Sequence, residues 1–150
     1  MESLMIKKAT PEDIARIAEF NRRMARESEN FILDPDIALS GVKNLFNQPE
    51  LGFYIVAQKE SKIVGSLMIT KEWSDWRNGI IWWIQSVYVL PDYRRKGLFR
   101  EMYQYIRKMA VRQNISGLRL YADKENLTAL NTYQALGMTE TDYKLFEDLF

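Results

Sequence analysis

At 150 residues, with 47% apolar and 13% aromatic content, the chain is predicted to form a single domain over residues 1–150, and it is too apolar for a disordered protein. Its net charge of +1 lacks the basic excess that general nucleic-acid surfaces usually carry. The chain has no Cys and no His, so disulfides, thiolate nucleophiles, Ser–His pairs and ordinary transition-metal sites are excluded.

The N-terminal third predicts one strand and two helices. Residues 4–9 are predicted as a strand, and Thr10-Pro11 begins a helix that ends near Glu29. Asp34-Pro35 begins a second helix in the same way, and this helix ends near Pro49. The N-terminus has no apolar signal-peptide core, and no run of about 18 apolar residues occurs, so we expect a cytoplasmic protein without a membrane partner.

Three strands are predicted in the middle of the chain. Residues 51–59 and 62–70 form a hairpin, residues 71–79 a polar turn, and residues 80–89 the central strand. Gly65, inside the second of these strands, indicates a bulge or a close backbone approach. Four tryptophans surround the last turn, and they are interpreted either as core and edge packing or as the lining of an aromatic acceptor pocket: Trp73, Trp76, Trp82 and Trp83.

A basic turn and an amphipathic helix follow the central strand. The strand ends at Pro91, the basic triplet 94–96 precedes Gly97, and apolar residues then recur at three- and four-residue steps up to Arg112. The first turn of a helix leaves backbone N–H groups unpaired at the positive end of the helix dipole, and a glycine lets an anion approach them. The pattern predicts a cradle for a phosphate or pyrophosphate, and the alternative is an ordinary connection with solvated basic residues.

The C-terminal part predicts two more strands around a short helix. Residues 117–123 alternate as a strand, residues 127–136 form a helix, and Gly137 is its C-terminal cap. A last strand is predicted over residues 143–148.

Two segments resemble motifs of the GNAT superfamily of N-acetyltransferases. The run from Val87 to Phe99 resembles its acyl-CoA signature: a strand ending in V-x-P, then Arg or Gln, two variable residues, Gly, one variable residue, and Gly or Ala. Arg94 and Gly97 match this signature, whereas Phe99 departs from it. The segment 125–138 resembles the family's N-x-x-A-x-x-x-Y-x-x-x-G-F motif, with Met138 in place of the aromatic residue. The two motifs occur in the family's order, separated by one helix and one strand.

The resemblance implies an α/β (α+β) GNAT fold, in which a central mixed, mostly antiparallel twisted sheet is splayed between its fourth and fifth strands and flanked by about four helices. It assigns Val87, Tyr88 and Val89 to the pantetheine arm and acetyl group of acetyl-CoA. It assigns the turn and helix start, mainly through backbone N–H groups, to the pyrophosphate: Arg94, Arg95, Lys96, Gly97, Leu98, Phe99 and Arg100.

The second motif implies two further site residues. By resemblance, Asn126 forms a hydrogen bond with the CoA arm, and Tyr133 faces the sulfur as the general acid. The alternative for Tyr133 is a helix residue that packs on the sheet.

The same resemblance implies an acetyl-CoA-dependent N-acetyltransferase, an acyltransferase that uses no metal. Acetyl-CoA as co-substrate would give its acetyl group to a primary amine of a small-molecule or peptide acceptor, by direct attack in a ternary complex. The general base is not evident, and the candidates are Glu72, Asp75, Tyr121 and a water chain through Gln85 and Ser86. The first two helices flank the acceptor site in this family, so three residues are candidates for holding a cation, with a solvated helix end as the simpler interpretation: Glu27, Glu29 and Asn30.

Two other functions stay open at the level of sequence. The chain could instead be a catalytically silent acyl-CoA-binding module. The absence of an evident general base and the departure of Phe99 from the signature give weak support to this alternative. A nucleic-acid-binding protein would use a set of basic residues, although the near-neutral charge argues against it: Arg94, Arg95, Lys96, Arg100, Arg107 and Lys108. We therefore expect no nucleic-acid partner, and a homodimer is left open.

Overall fold

The strands form one sheet in chain order. The computed structural model describes residues 3–150, which divide into two compact units, one ending at Leu120 and the other comprising Tyr121–Phe150. The elements of the first unit are β1 (Leu4–Lys8), α1 (Ile14–Glu29), α2 (Pro35–Phe46), β2 (Gly52–Lys59), β3 (Lys62–Ser74), β4 (Gly79–Val89), α3 (Leu98–Arg112) and β5 (Gly117–Arg119). The second unit contains α4 (Leu127–Ala135).

The sheet is mixed and mostly antiparallel, which confirms the predicted class. Its order is β1-β2-β3-β4-β5; the first three pairings are antiparallel, and β4 pairs with β5 in parallel. The parallel ladder runs only from Ile81–Gly117 to Trp83–Arg119, whereas β4 continues to Val89. The fifth strand is therefore shorter than predicted, and the two strands part after Trp83.

Helices cover both faces of the sheet. The ring of Phe20 in α1 packs on Tyr88 of β4, with centroids 5.1 Å apart, and Phe46 of α2 stacks on Tyr54 of β2 at 5.9 Å. On the other face, a Cβ at Gly65 would lie 3.2 Å from Leu98 Cδ2 of α3. The close approach predicted at Gly65 is thus present, and a register shift marks the same stretch of β2 and β3.

Local capping explains where the helices begin. The Asp13 carboxylate accepts a hydrogen bond from the Thr10 backbone N–H at 2.9 Å, and a short 3-10 turn leads into α1. The Asp34 side chain accepts from two backbone N–H groups in the first turn of α2, as expected for an N-cap. Gly137, with φ of +92°, ends α4, and the next N–H reaches back to the Tyr133 carbonyl at 3.1 Å.

Two predicted elements were wrong. The polar turn expected at residues 71–79 is confined to residues 75–78, because Lys71 to Ser74 pair with β4 and extend β3. Opposite these residues β4 is apolar, so the partner strand supports a segment with weak strand propensity of its own. The strand expected at residues 143–148 is absent from the structure, where the whole stretch 139–150 has no helix or strand.

Candidate functional site

The basic turn after β4 has the geometry of an anion cradle. Arg95 and Gly97 both lie in the left-handed region, with φ of +61° and +78°, and α3 starts directly after them. The first i→i−4 hydrogen bond of α3 is donated by the Glu101 N–H to the Gly97 carbonyl at 3.1 Å. The backbone N–H groups before Glu101 therefore have no acceptor inside α3. A Cβ at Gly97 would meet no atom within 4 Å, which leaves open space beside these donors.

The side chain of Arg94 anchors this turn to α1. Its Nε donates to the Val89 carbonyl at 2.8 Å, and its Nη2 forms an ion pair with Glu27 Oε1 at 2.8 Å. The Tyr88 hydroxyl donates to the other oxygen of Glu27. These hydrogen bonds, first from Tyr88 and then from Arg94, lower the pKa of Glu27, while burial and then Glu27 raise the pKa of Tyr88.

This network changes the interpretation of three predicted residues. Glu27 is exposed, as the sequence suggested, but both of its oxygens also accept hydrogen bonds from other side chains, so it has a structural role. The side chain of Tyr88 is buried against α1, so Tyr88 can meet a ligand only through its backbone. The guanidinium of Arg94 is held against the turn and helps to fix its shape.

A bulge distorts β4 where it has lost its parallel neighbour. Ser66 pairs with Tyr88 and Met68 with Gln85, so two residues of β4 stand opposite one of β3. One of the two is Ser86, whose φ is +52°. Within residues 3–150 no strand pairs with β4 beyond Trp83 on the β5 side. The backbone of Val87 and Val89 therefore lies on an open stretch of strand edge, whose polar groups need a partner.

The candidate bases do not come together at this edge. Glu72 accepts hydrogen bonds from Trp83 Nε1 at 2.6 Å and forms an ion pair with Arg119 at 3.2 Å, so its carboxylate is held by two donors. The amide of Gln85 donates to the Thr70 hydroxyl at 3.0 Å. Of the other two candidates, Asp75 is exposed in the β3–β4 turn, and Tyr121 is exposed in the second unit.

The four tryptophans have different roles. Trp82 is 1% exposed and packs edge-on against Phe53, so it belongs to the core on the α3 face. Trp76, at the tip of the β3–β4 turn, is 90% exposed, and Trp73 is also exposed. Trp83 is half-buried and donates to Glu72. The core interpretation is thus right for Trp82, and Trp83 is the tryptophan nearest in sequence to the bulge.

The second unit contains both residues of the second motif. The Oδ1 of Asn126 accepts from the Ala129 N–H at 3.2 Å and caps α4, so the amide nitrogen is the part of this side chain with hydrogens to donate. Tyr133 lies seven residues later on α4 and is half-buried. Burial raises the pKa of Tyr133 above its ordinary value, which keeps the phenol protonated at neutral pH.

Residues 3–150 contain neither a cluster of metal ligands nor a helix suited to span a membrane. No group of three or more acidic residues in that part of the protein is arranged to hold a metal ion. Among the same residues, no helix has the length and apolar character needed to cross a membrane.

A family model described as "Acetyltransferase (GNAT) family" matches residues 13–138. The chain belongs to the GNAT family. Enzymes of this family use acetyl-CoA, and solved relatives contain bound CoA. A possible acetyltransferase from Clostridium difficile 630 is 44% identical, with a TM-score of 0.90 over 98% of this chain and 97% of its own.

More distant similarities support the fold. The structure of AAC(6')-Iy with the bisubstrate analogue CoA-S-monomethyl-acetylneamine has a TM-score of 0.78 at 17% identity, over 99% of each chain, which establishes the GNAT fold alone. The streptothricin acetyltransferase of Escherichia coli is 25% identical over 87 residues. These residues are 58% of this GNAT chain and 47% of the E. coli enzyme, so the match spans about half the length of that relative.

Proposed function

We propose that this protein is an N-acetyltransferase that transfers the acetyl group of acetyl-CoA to a primary amine of a small-molecule or peptide acceptor. The observation that carries the proposal is the open turn at Gly97, which directs helix N-terminal N–H groups into free space beside an unpaired edge of β4. Such a turn suits a pyrophosphate, and an open strand edge suits the amides of a pantetheine arm.

The binding roles follow from these two features. The N–H groups from Arg95 to Arg100 bind the pyrophosphate, and the charges of Arg95, Lys96 and Arg100 add to the attraction. The backbone of residues 87–89 pairs with the pantetheine amides. The amide nitrogen of Asn126 donates to the same arm.

The chemistry is a direct attack in a ternary complex. The neutral amine nitrogen attacks the acetyl carbon and loses a proton to water as the amide forms. The C–S bond breaks, the leaving thiolate receives a proton or a hydrogen bond from Tyr133, and a donated proton is returned to the phenol from water. An alkyl ammonium has a pKa near ~10.4, so the acceptor must first lose a proton. We infer that water takes this proton, because the carboxylate of Glu72 is already held by Trp83 and Arg119.

The binding half of the proposal is tested by substitution of Gly97. We expect Gly97→Glu to weaken CoA binding by more than tenfold, because it places a negative charge in the cradle. An L-residue at positive φ adds strain of roughly 1–2 kcal/mol, so Gly97→Asn, which tolerates this conformation without charge, separates strain from repulsion. Gly41→Glu, at an exposed glycine of α2, is the matched charge control. If titration calorimetry shows that folded Gly97→Glu binds CoA with unchanged affinity, the turn is not the CoA-binding site.

The catalytic half is tested by release of free thiol. Acetyl-CoA is incubated with monoamines, polyamines, amino acids and peptides, and thiol release is followed. One alternative keeps specific support: the occupied carboxylate of Glu72 would also suit a catalytically silent acyl-CoA-binding module. CoA binding without thiol release from any acceptor would favour that module.

A further inference from the structure

A cleft of about 220 Å³ lies between the second half of α1 and the segment that leads into α2. Three arginines of α1 line one side, together with Glu19, and residues 31–33 line the other: Arg22, Arg23 and Arg26. All residues that line this cleft belong to the first unit.

Two of its positive charges have no acidic partner among residues 3–150. The Glu19 carboxylate accepts from Arg16 at 2.9 Å and from Arg23 at 2.6 Å, and these bonds lower its pKa although partial burial opposes the change. Arg22 uses only its Nε, which donates to the Leu33 carbonyl at 3.3 Å. The side chain of Arg26 makes no hydrogen bond or ion pair with any part of the chain from residue 3 to residue 150.

The geometry of these arginines suits an anion. Arg22 and Arg26 are four residues apart on α1, so they lie on the same side of the helix. The bond to Leu33 orients the guanidinium of Arg22 along the cleft wall and leaves its two terminal nitrogens as donors. Planar guanidinium groups bind carboxylates and phosphates with paired hydrogen bonds.

The opposite wall is apolar. Phe31 is 56% exposed and Ile32 is 73% exposed, although both are large hydrophobic residues. A ligand that fills the cleft therefore combines an anionic group with an apolar side chain.

The cleft and the residues that hold the end of β4 lie on neighbouring turns of α1. Arg23 lines the cleft and lies four residues before Glu27 on the same side of α1, and Glu27 accepts from Tyr88 of β4 and binds Arg94 of the turn. An occupant of the cleft would thus lie about one helical turn along α1 from the contacts that hold the end of β4, where the acetyl-CoA arm is proposed to bind.

We propose that the acceptor amine also carries a carboxylate next to an apolar side chain, as in an amino acid or short peptide, and that Arg22 and Arg26 bind this carboxylate. The inference rests on the proposed function and narrows its substrate class. It also disfavours polycationic acceptors, which would place like charges together in the cleft.

Pairs of acceptors that differ by the carboxylate test this directly. Phenylalanine is compared with phenethylamine, and lysine with cadaverine, by kcat/KM at saturating acetyl-CoA. We expect the carboxylate to raise kcat/KM on the order of 10-fold or more, and Arg22→Gln or Arg26→Gln to abolish the preference while leaving the KM of acetyl-CoA unchanged. Arg107→Gln, at an exposed arginine of α3, is the matched control. The inference would be overturned if kcat/KM were equal within each pair and unaffected by Arg22→Gln and Arg26→Gln. The acetyltransferase proposal would then remain intact.

A binding experiment covers the case in which no amine is acetylated. N-acetylphenylalanine has the carboxylate and the ring but no reactive amine, and its affinity is measured for the wild type and for Arg26→Gln. A loss of affinity on the order of 10-fold would support carboxylate binding in the cleft even if the proposed function failed.

The other anion that could occupy the cleft is the 3′-phosphate of CoA. If Arg26→Gln weakens binding of CoA but not of 3′-dephospho-CoA, the cleft binds the co-substrate and the inference is wrong.

Discussion

At the scale of single residues, the pKa of Tyr133 limits how completely this residue can transfer a proton to the leaving thiolate of CoA. An ordinary phenol has a pKa about 1.5 units above that of a thiol, which makes complete proton transfer unfavourable by roughly 2 kcal/mol. Burial raises the pKa of Tyr133 further. Donation as the C–S bond breaks, or a hydrogen bond to the forming thiolate, is therefore the role that the chemistry permits.

Removal of the hydroxyl alone tests this role. Tyr133→Phe keeps the ring, so the melting temperature and the affinity for acetyl-CoA should change little, whereas kcat should fall on the order of 10²-fold. The rate is measured at saturating acetyl-CoA with a working acceptor. Tyr143→Phe, at an exposed tyrosine of the same unit, controls for the substitution. A Tyr133→Phe enzyme with near-wild-type kcat would leave water or the acceptor's own proton to neutralise the leaving group.

At the scale of elements, the tryptophans of the β3–β4 hairpin can be divided into those that pack in the core, those that are exposed and those that could contact the acceptor. The tip carrying Trp76 is at least seven residues from the bulge at Ser86, roughly 20 Å along a strand, whereas Trp83 is three residues from it. We expect Trp76→Ala to leave both KM values and stability unchanged. Trp82→Ala should cost about 3–5 kcal/mol of stability, because this ring is fully buried.

Trp83 is the member of this series that should affect the substrate. We expect Trp83→Ala to raise the acceptor KM and to leave the acetyl-CoA KM nearly unchanged, because its ring is half-buried beside Glu72 close to the bulge. Steady-state kinetics and thermal unfolding are compared for all three variants. A Trp83→Ala protein that differs only in melting temperature would place this ring in the packing as well.

Elements set by local chemistry were predictable from sequence. The caps at Asp34 and Gly137 and the glycine before α3 act over a few residues, so their patterns are visible in the chain. The extension of β3 to Ser74 was missed because it depends on pairing with an apolar partner strand. The pattern at residues 143–148 resembles a strand, but a strand needs a neighbour to pair with, and no local signal supplies one.

The ion-pair network at the cradle was beyond sequence reasoning for a related reason. Glu27 lies 61 residues from Tyr88 and 67 from Arg94, so nothing in the local pattern connects them. The motif around Gly97 identified the turn. It did not reveal that the Arg94 side chain would be held by α1, since a motif specifies residue types and not their long-range partners.

Taken over the whole molecule, ionisable side chains are scarce near neutral pH. The chain has no His and no Cys, so no side chain has an ordinary pKa between about 5 and 8. The resolved shifts within residues 3–150 lead away from neutrality: the pKa is lowered for Glu19 and Glu27, and it is raised for Arg23, Tyr54, Tyr88 and Tyr133. None of these resolved shifts moves a pKa toward pH 7.

The acceptor's own ammonium should therefore control the pH dependence of the rate. Below the amine pKa only the neutral fraction attacks, so log kcat/KM should rise by about one per pH unit and level off at the pKa of the acceptor. Two acceptors with different amine pKa values, both below about 9 as for peptide α-amines with a pKa of about 7.7–8.0, are compared from about pH 6 to about pH 10, with circular dichroism as a control for folding. The pH at which log kcat/KM levels off should differ between the two acceptors in the same direction as their amine pKa values. A bend at one fixed pH for both amines would instead reveal an enzyme group that acts as the base, with Glu72 and Tyr121 as the first residues to substitute.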